Sequence, residues 1–438
     1  MSAVTYWCER AWLGPDEQAD DVVVEVDDAT ICSVRVGPAP AGAIRLTGLT
    51  IPGFANCHSH AFHRALRGRT QRGHGSFWTW REQMYVVAER LDPDRYHALA
   101  LAVYQEMALA GITAVGEFHY LHHGPGGQPY DDPNAMGHAL VAAAREAGLR
   151  IALLDACYLS SGFGAAPQGV QGRFTDGDAS RWADRVAAFD VSGPDVVRGA
   201  AIHSVRAVPR EQLSVVAGIR PDDPLHVHLS EQVAENDACR STYGLTPAAL
   251  LEGEGVLGPR LTAVHATHLD PTDIVALAGA GCTVDLCPTT ERDLADGIGP
   301  ARALAASGVP LTLGSDSHAV IDMHEEMRAV ELDERLATQT RGHFTADELL
   351  VAATSAGHAS LGFASGGRIA AGHWADLVTL DLHSPRTAGT GGGKETAVYA
   401  ATAADIVHVV ASGRVVVLDR SDVGARLQAA ILDVVDPR

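Results

Sequence analysis

Four short clusters in this 438-residue chain combine residue types that bind metal ions or move protons. His58-Ser59-His60 places two imidazoles at i and i+2, which point the same way in an extended segment and can reach one ion. His226-Val227-His228-Leu229-Ser230-Glu231 repeats that spacing and adds a glutamate three residues after the second histidine. A glutamate there suits acid–base work beside a metal held by His228, although the first turn of a helix favours an acidic residue for its dipole alone. Val264-His265-Ala266-Thr267-His268 offers one more histidine, His265 or His268, and Ser315-Asp316-Ser317 offers a carboxylate. Each cluster alone is weak: 21 histidines give several H-x-H pairs by chance, and an Asp beside Gly and Ser is a common cap or turn. Together, His58, His60, His228 and Asp316 form a donor set that suits one divalent ion, Zn²⁺ first and Fe²⁺ second. The chemistry implied is hydrolysis by an activated water, with Asp316 and Glu231 moving protons.

The elements that must position these residues follow from the hydrophobic pattern. Strand-like runs at 51–57, 113–118, 151–156, 196–203, 225–229, 261–265, 282–286 and 311–315 alternate with helical spacing at 95–110, 135–147, 180–189, 271–280 and 298–307. Eight strands, each followed by a helix, predict an α/β fold of the (β/α)8 TIM-barrel type. A doubly wound open sheet is the alternative, but the glycine fingerprint that opens one is missing. In a barrel the four clusters fall at the carboxyl ends of the first, fifth, sixth and eighth strands, where such folds keep their chemistry. Both termini read as short strands, at 22–26, 30–36, 44–46, 377–380, 406–410 and 415–418, with a Gly/Thr-rich loop at 384–396. The expected organisation is a barrel over 51–365 and a small β-sandwich domain built from 1–50 and 366–438.

Composition narrows the partners. The net charge of −21 argues against nucleic acid or an anionic membrane as a main partner. Seven cysteines in scattered positions without a C-x-x-C read as free thiols of a cytoplasmic protein, and Cys57 as a buried neutral one. Early acidic residues argue against a signal peptide, and no run approaches the ~18 apolar residues of a membrane span. Of the 33 basic residues only Lys394 is a lysine.

The order H-x-H, H-x-x-E, H, S-D on such a barrel resembles the amidohydrolase superfamily, as does the tail 366–378. Binuclear members of that superfamily use a carboxylated lysine at the end of the fourth strand. Here that strand ends in His203, so the resemblance points to the mononuclear branch, with deaminases acting on C=N bonds. The segments 56–65, 117–123, 203–208, 287–291 and above all S-F-W-T-W-R-E at 76–82 are similar to the formiminoglutamate deiminase family within it. That family usually has Gln where His63 stands and often Asn where Asp293 stands.

The resemblance implies hydrolysis of an amidine-like C=N group with loss of ammonia, on a small anionic amidine substrate, by a homodimer. It makes Glu231, His265 and Asp316 catalytic and prefers His265 over His268. A dicarboxylate needs cationic donors, and Arg206 at the end of the fourth strand can take a carboxylate bidentately. His203, Arg81, Tyr120 and His63 are the further substrate-facing candidates. Trp78 and Trp80 either wall the pocket or pack in its loop, and His122-His123 reads as a support rather than a second metal site. A deaminase of a related guanidino or formimino acid, or of a guanine-type heterocycle, is the competing enzyme, and a metal-free structural or regulatory protein on the same fold the competing class.

Overall fold

The computed structural model describes residues 4–71, 74–75 and 77–436, without the side chains of Phe77 and Trp78. Ser76 and the side chain of Trp78, singled out in the sequence, therefore lie outside the described part.

Two sheets organise the chain. Strands β1 (Val4–Gly14), β2 (Glu17–Asp27), β3 (Thr30–Val36) and β4 (Ile44–Pro52) come first. Eight strands follow: β5 (Phe54–Ser59), β6 (Ile112–His119), β7 (Arg150–Cys157), β8 (Val196–Ile202), β9 (Leu225–Leu229), β10 (Leu261–His265), β11 (Thr283–Leu286) and β12 (Leu311–Leu313). They pair in parallel in sequence order as one eight-stranded sheet. The Asp316 amide donates to the His58 carbonyl at 2.9 Å and the His60 amide to the Asp316 carbonyl at 3.2 Å, which joins the first strand to the last and closes the barrel. The (β/α)8 expectation holds, with one boundary moved: residues 51–52 belong to β4, and the barrel begins after Gly53. β5, β6 and β7 are buried along their whole length, as strands covered on both faces must be, and this is why they read as continuous apolar runs.

The termini form the second sheet. Strands β13 (Leu377–Leu380), β14 (Ile406–Ala411) and β15 (Arg414–Val415) add to β1–β4 in the order β15-β14-β13-β4-β1-β2-β3. The sheet rolls so that its ends meet: the Tyr6 hydroxyl donates to the Gly413 carbonyl at 2.9 Å, and Thr30 bridges Trp374. Tyr6, Val22, Val24, Ile31, Leu46, Leu377 and Val410 share the enclosed apolar interior. Arg150 fastens this sheet to the barrel, ion-paired with buried Asp376 and lying 3.7 Å over the Trp374 ring. β1 and the helix Arg420–Val435 were not foreseen from the sequence. That helix packs on the barrel helix Pro93–Leu109, with Arg426 donating to Gln105 at 2.9 Å and Arg95 to Asp433 at 2.9 Å. Among the described residues no helix is long and apolar enough to cross a membrane.

Local signals stop and start the helices that carry the strand ends. Asp92 caps Pro93–Leu109 by accepting from the Arg95 amide at 2.9 Å, and Gly148 ends Ala135–Ala147 in the left-handed region at φ 80°. Arg185, on the helix Ala179–Ala188, is buried between Asp155 at 2.7 Å and Asp176 at 3.0 Å. Burial would raise Asp155, but the Arg185 guanidinium outweighs it and holds that carboxyl down at about 2. Its stabilising contribution is therefore present above the ordinary carboxylate pKa of about 4 and is lost as pH falls toward 2. Arg185→Met removes the guanidinium shared by two carboxylates and leaves Asp155 with Trp182 and Asp176 with His123 alone, so chemical denaturation at neutral pH is expected to show about 3–5 kcal/mol of lost stability. A loss below about 1 kcal/mol, the range of exposed pairs, would contradict this.

Candidate active site

The four clusters meet at one end of the barrel. The Nε2 atoms of His58 and His60 stand 3.2 Å apart, and those of His58 and His228 3.0 Å apart. Asp316 Oδ1 lies 3.4 Å from His58 and 3.3 Å from His60. His265 Nε2 is 3.9 Å from Asp316 and 4.0 Å from Glu231 Oε1. Donors bound at 2.0–2.1 Å around a tetrahedral ion stand about 3.3 Å apart, so these spacings fit one metal.

Hydrogen bonding supports the same reading. His60 Nδ1 donates to the Phe118 carbonyl at 2.9 Å, and His228 Nδ1 to the His203 carbonyl at 2.8 Å. Their Nε2 atoms then carry lone pairs, and these converge on a carboxylate with too few donors among them. Lone pairs crowded in a buried space call for a cation. Burial also pushes His58 down to about 3 and lowers His60 and His228, so all three imidazoles are neutral, as ligands must be.

The strand ends are bent to make this possible. Ser230 (φ 52°), His265 (φ 68°) and Asp316 (φ 40°) adopt the left-handed region, uncommon for residues with a side chain and concentrated at functional sites. Gly314 lets the last strand approach the first: a Cβ there would sit 2.8 Å from both the Cβ and the amide nitrogen of His58. Behind the ligands a buried network joins the two strands. Asn56 donates to the Ser315 hydroxyl at 2.7 Å, and Ser315 and Ser59 hold the two nitrogens of His318 at 2.9 and 3.1 Å. Ser59 and the Ala61 amide donate to Glu117 at 2.7 and 2.8 Å. None of these contacts was read from the sequence, because they link positions up to 259 apart.

A cleft of about 720 Å³ opens over the cluster. It is lined by His60, His228, His265, Glu231 and Asp316, and by His63, Arg81, Tyr120, His203 and Arg206. The structure thus brings these ten residues together, with His58 buried beneath the lining. Burial raises Glu231, opposed by His265 and Arg206. The His63 Nε2 and the Tyr120 hydroxyl are paired at 2.8 Å, and His63 packs on Trp80 with ring centres 5.0 Å apart. Arg206 Nε donates to buried Glu235 at 3.3 Å. The Arg81 guanidinium lies 5.6 Å over the Tyr85 ring.

Other sequence candidates fall elsewhere. His268 donates to the Asp296 carbonyl at 2.7 Å, away from the cleft, which decides between it and His265. His226 is buried and does not line the cleft. Asp293 takes Gln71 at 2.8–2.9 Å on the surface. His119, His122 and Asp155 lie close enough to hold an ion, but Asp155 is already taken by Arg185 and by Trp182 at 2.9 Å, so this group is a structural support. Glu291, 3.4 Å from His265 Nδ1, was missed as a site residue, although it ends a segment noted in the sequence.

Comparison with known proteins agrees with the geometry. Residues 49–416 match the sequence profile of the Amidohydrolase family. Over 98% of this chain and 97% of its own length, the formimidoylglutamate deiminase of Pseudomonas aeruginosa is 36% identical. A 5-methylthioadenosine/S-adenosylhomocysteine deaminase of Pelotomaculum thermopropionicum is 29% identical over 92% of this chain and 90% of its own. The crystal structure of an amidohydrolase from Brucella melitensis superposes with a TM-score of 0.90 at 32% identity, covering 98% of this chain and 99% of that one. The chain belongs to the amidohydrolase family, and it is a hydrolase.

Proposed function

We propose that the protein hydrolyses the formimino C=N group of N-formimino-L-glutamate, giving N-formyl-L-glutamate and ammonia. The observation that carries the reading is the pairing of two guanidinium groups, Arg81 and Arg206, with the imidazole–carboxylate cluster in one cleft. An acidic protein that gathers arginine beside a hydrolytic centre suits a substrate with two carboxylates and one reactive carbon. The 36% identity with a formimidoylglutamate deiminase along nearly the whole chain supports the same choice.

His58, His60, His228 and Asp316 would hold one divalent ion, Zn²⁺ by their donor chemistry. When bound, such an ion makes hydroxide available near neutral pH. Asp316 accepts the proton of the attacking water. His265 donates a hydrogen bond to the reacting group. Glu231, whose pKa burial raises, delivers its proton to the imine nitrogen. Asp316 then passes the water proton to that nitrogen, the C–N bond breaks and ammonia leaves, and the hydroxyl proton returns to Glu231, so that the added oxygen remains as the formyl carbonyl. Arg206 and Arg81 take the carboxylates, with His203, Tyr120 and His63 shaping the wall around the formimino end.

A substrate panel read by ammonia release tests this reading. Formiminoglutamate is expected to turn over and an adenine-type amine is not; the reverse outcome would select the heterocycle deaminase. Arg206→Ala, combined with Glu235→Gln so that no buried carboxylate loses its partner, is expected to raise KM about 10–100-fold, the worth of one charged hydrogen-bonded contact. An unchanged KM would remove Arg206 from carboxylate binding.

A further inference from the structure

One wall of the cleft is assembled from segments far apart in sequence. The helix Phe77–Arg90 supplies Trp80, Arg81 and Tyr85, the loop after β6 supplies Tyr120, and the residue after β7 is Tyr158. A short turn, Gly169–Arg173, lies between them and fastens all three. Arg173 is fully buried. Its Nε donates to the His123 carbonyl at 2.8 Å, its Nη1 to the Ala88 carbonyl, and its Nη2 to the Leu91 carbonyl at 2.6 Å. Its own carbonyl accepts from the amides of His122 and His123 at 3.0 and 2.9 Å. The Gln171 amide donates to the Tyr85 hydroxyl at 3.0 Å and the Tyr158 hydroxyl at 2.8 Å.

A buried guanidinium costs a great deal in lost hydration unless fixed dipoles replace the water. Among the described residues no carboxylate is ion-paired with Arg173. Its partners are three backbone carbonyls and, at 3.4 Å, the Tyr130 hydroxyl; the carbonyls of Ala88 and Leu91 sit at the end of the helix, where the backbone dipoles favour a cation. An apolar side chain would fill the space without that cost. What only arginine supplies is a rigid fork whose N–H groups reach separate backbone segments at once. Arg90 ties the same helix end to the Val434 and Val435 carbonyls at 3.1 and 2.7 Å, and the Tyr120 hydroxyl reaches Met84 Sδ at 3.6 Å; beside that direct contact, Arg173 joins the end of the helix to the cleft loop.

We propose that Arg173 is a positioning residue for substrate recognition: by joining the end of helix Phe77–Arg90 to the loop 120–123, it sets where Arg81 and Tyr120 stand in the cleft without touching substrate. The kinetic part of this rests on the deiminase reading above; the structural part does not.

The test uses full-length, zinc-loaded Arg173→Met, Arg173→Lys and Gln171→Met. Kinetics with N-formimino-L-glutamate are paired with peptide-resolved hydrogen exchange. For Arg173→Met, KM is expected to rise roughly tenfold or more, with kcat within about threefold and metal content unchanged. Amide exchange is expected to quicken in 77–91 and 119–124 while β9 and β10 keep wild-type rates. Arg173→Lys, which keeps the charge but not the fork, is expected to fall between the two. An unchanged KM with unchanged exchange overturns the proposal. So does a joint fall in kcat and metal content with faster exchange throughout the barrel, since Arg173 would then support the fold alone. Should the Arg173 variants fail to fold, Gln171→Met decides: the same KM-selective loss supports positioning, and a wild-type KM overturns it. Should the wild type release no ammonia from this substrate, the functional reading fails while the exchange pattern still decides the positioning role.

Discussion

His228→Ala is expected to abolish stable metal binding and to lower turnover by roughly 10³-fold or more, because both the ion and the acidified water depend on a complete ligand set. His228 stands 3.0 Å from His58, and its ring is aimed by the His203 carbonyl at 2.8 Å. Alanine removes one donor and leaves an open position that water fills. The fold should tolerate the change in the metal-free protein, because His58, His60, His228 and Asp316 crowd lone pairs together there. Thermal unfolding separates the two effects. Zinc is expected to raise the wild-type midpoint, since a ligand that binds only the native state stabilises it, and to leave the variant's midpoint where it was. One tightly bound ion per chain in His228→Ala would remove this residue from the ligand set.

Glu231→Gln is expected to lower kcat by about 10²–10⁴-fold, the usual contribution of a positioned general acid, while KM and metal content stay near wild type. Glutamine keeps the shape and the hydrogen bonds but has no proton to give. The pH dependence adds a signed check. Burial raises the Glu231 pKa, opposed by His265 and Arg206, so the acid form persists to higher pH than for an ordinary glutamate. Wild-type activity should fall as pH rises through that raised pKa, and Glu231→Gln should lose that alkaline limb. A variant that keeps both kcat and the limb would leave the proton transfer to another group.

Much of the site was legible because its spacing is local. His58-Ser59-His60 and His228-x-x-Glu231 lie within single strand ends, and buried parallel strands read as apolar runs that stop where the chemistry begins. His265 was preferred over His268 from its place nearer the strand end, but the left-handed backbone at His265 and Ala266 is announced by no sequence pattern. Glu117, Asn56 and His318 stayed hidden because their partners come from other strands. Nothing in the sequence marked Arg173, since its worth lies in three carbonyls from two separate segments. β1 escaped because Glu9 and Arg10 interrupt its apolar pattern. The helix Arg420–Val435 escaped because only Val423, Leu427 and Val434 of its side chains are buried, and Gly424 interrupts its helical pattern.

The central claim is that this cleft adds water to a formimino carbon and expels the imine nitrogen. Either nitrogen on that carbon could leave, and the position of the acid selects which. The direct measurement is product analysis with zinc-loaded protein and N-formimino-L-glutamate. The account predicts one ammonia and one N-formyl-L-glutamate for each substrate consumed. Glutamate with formamide, or no reaction in a protein that holds its metal, would contradict it.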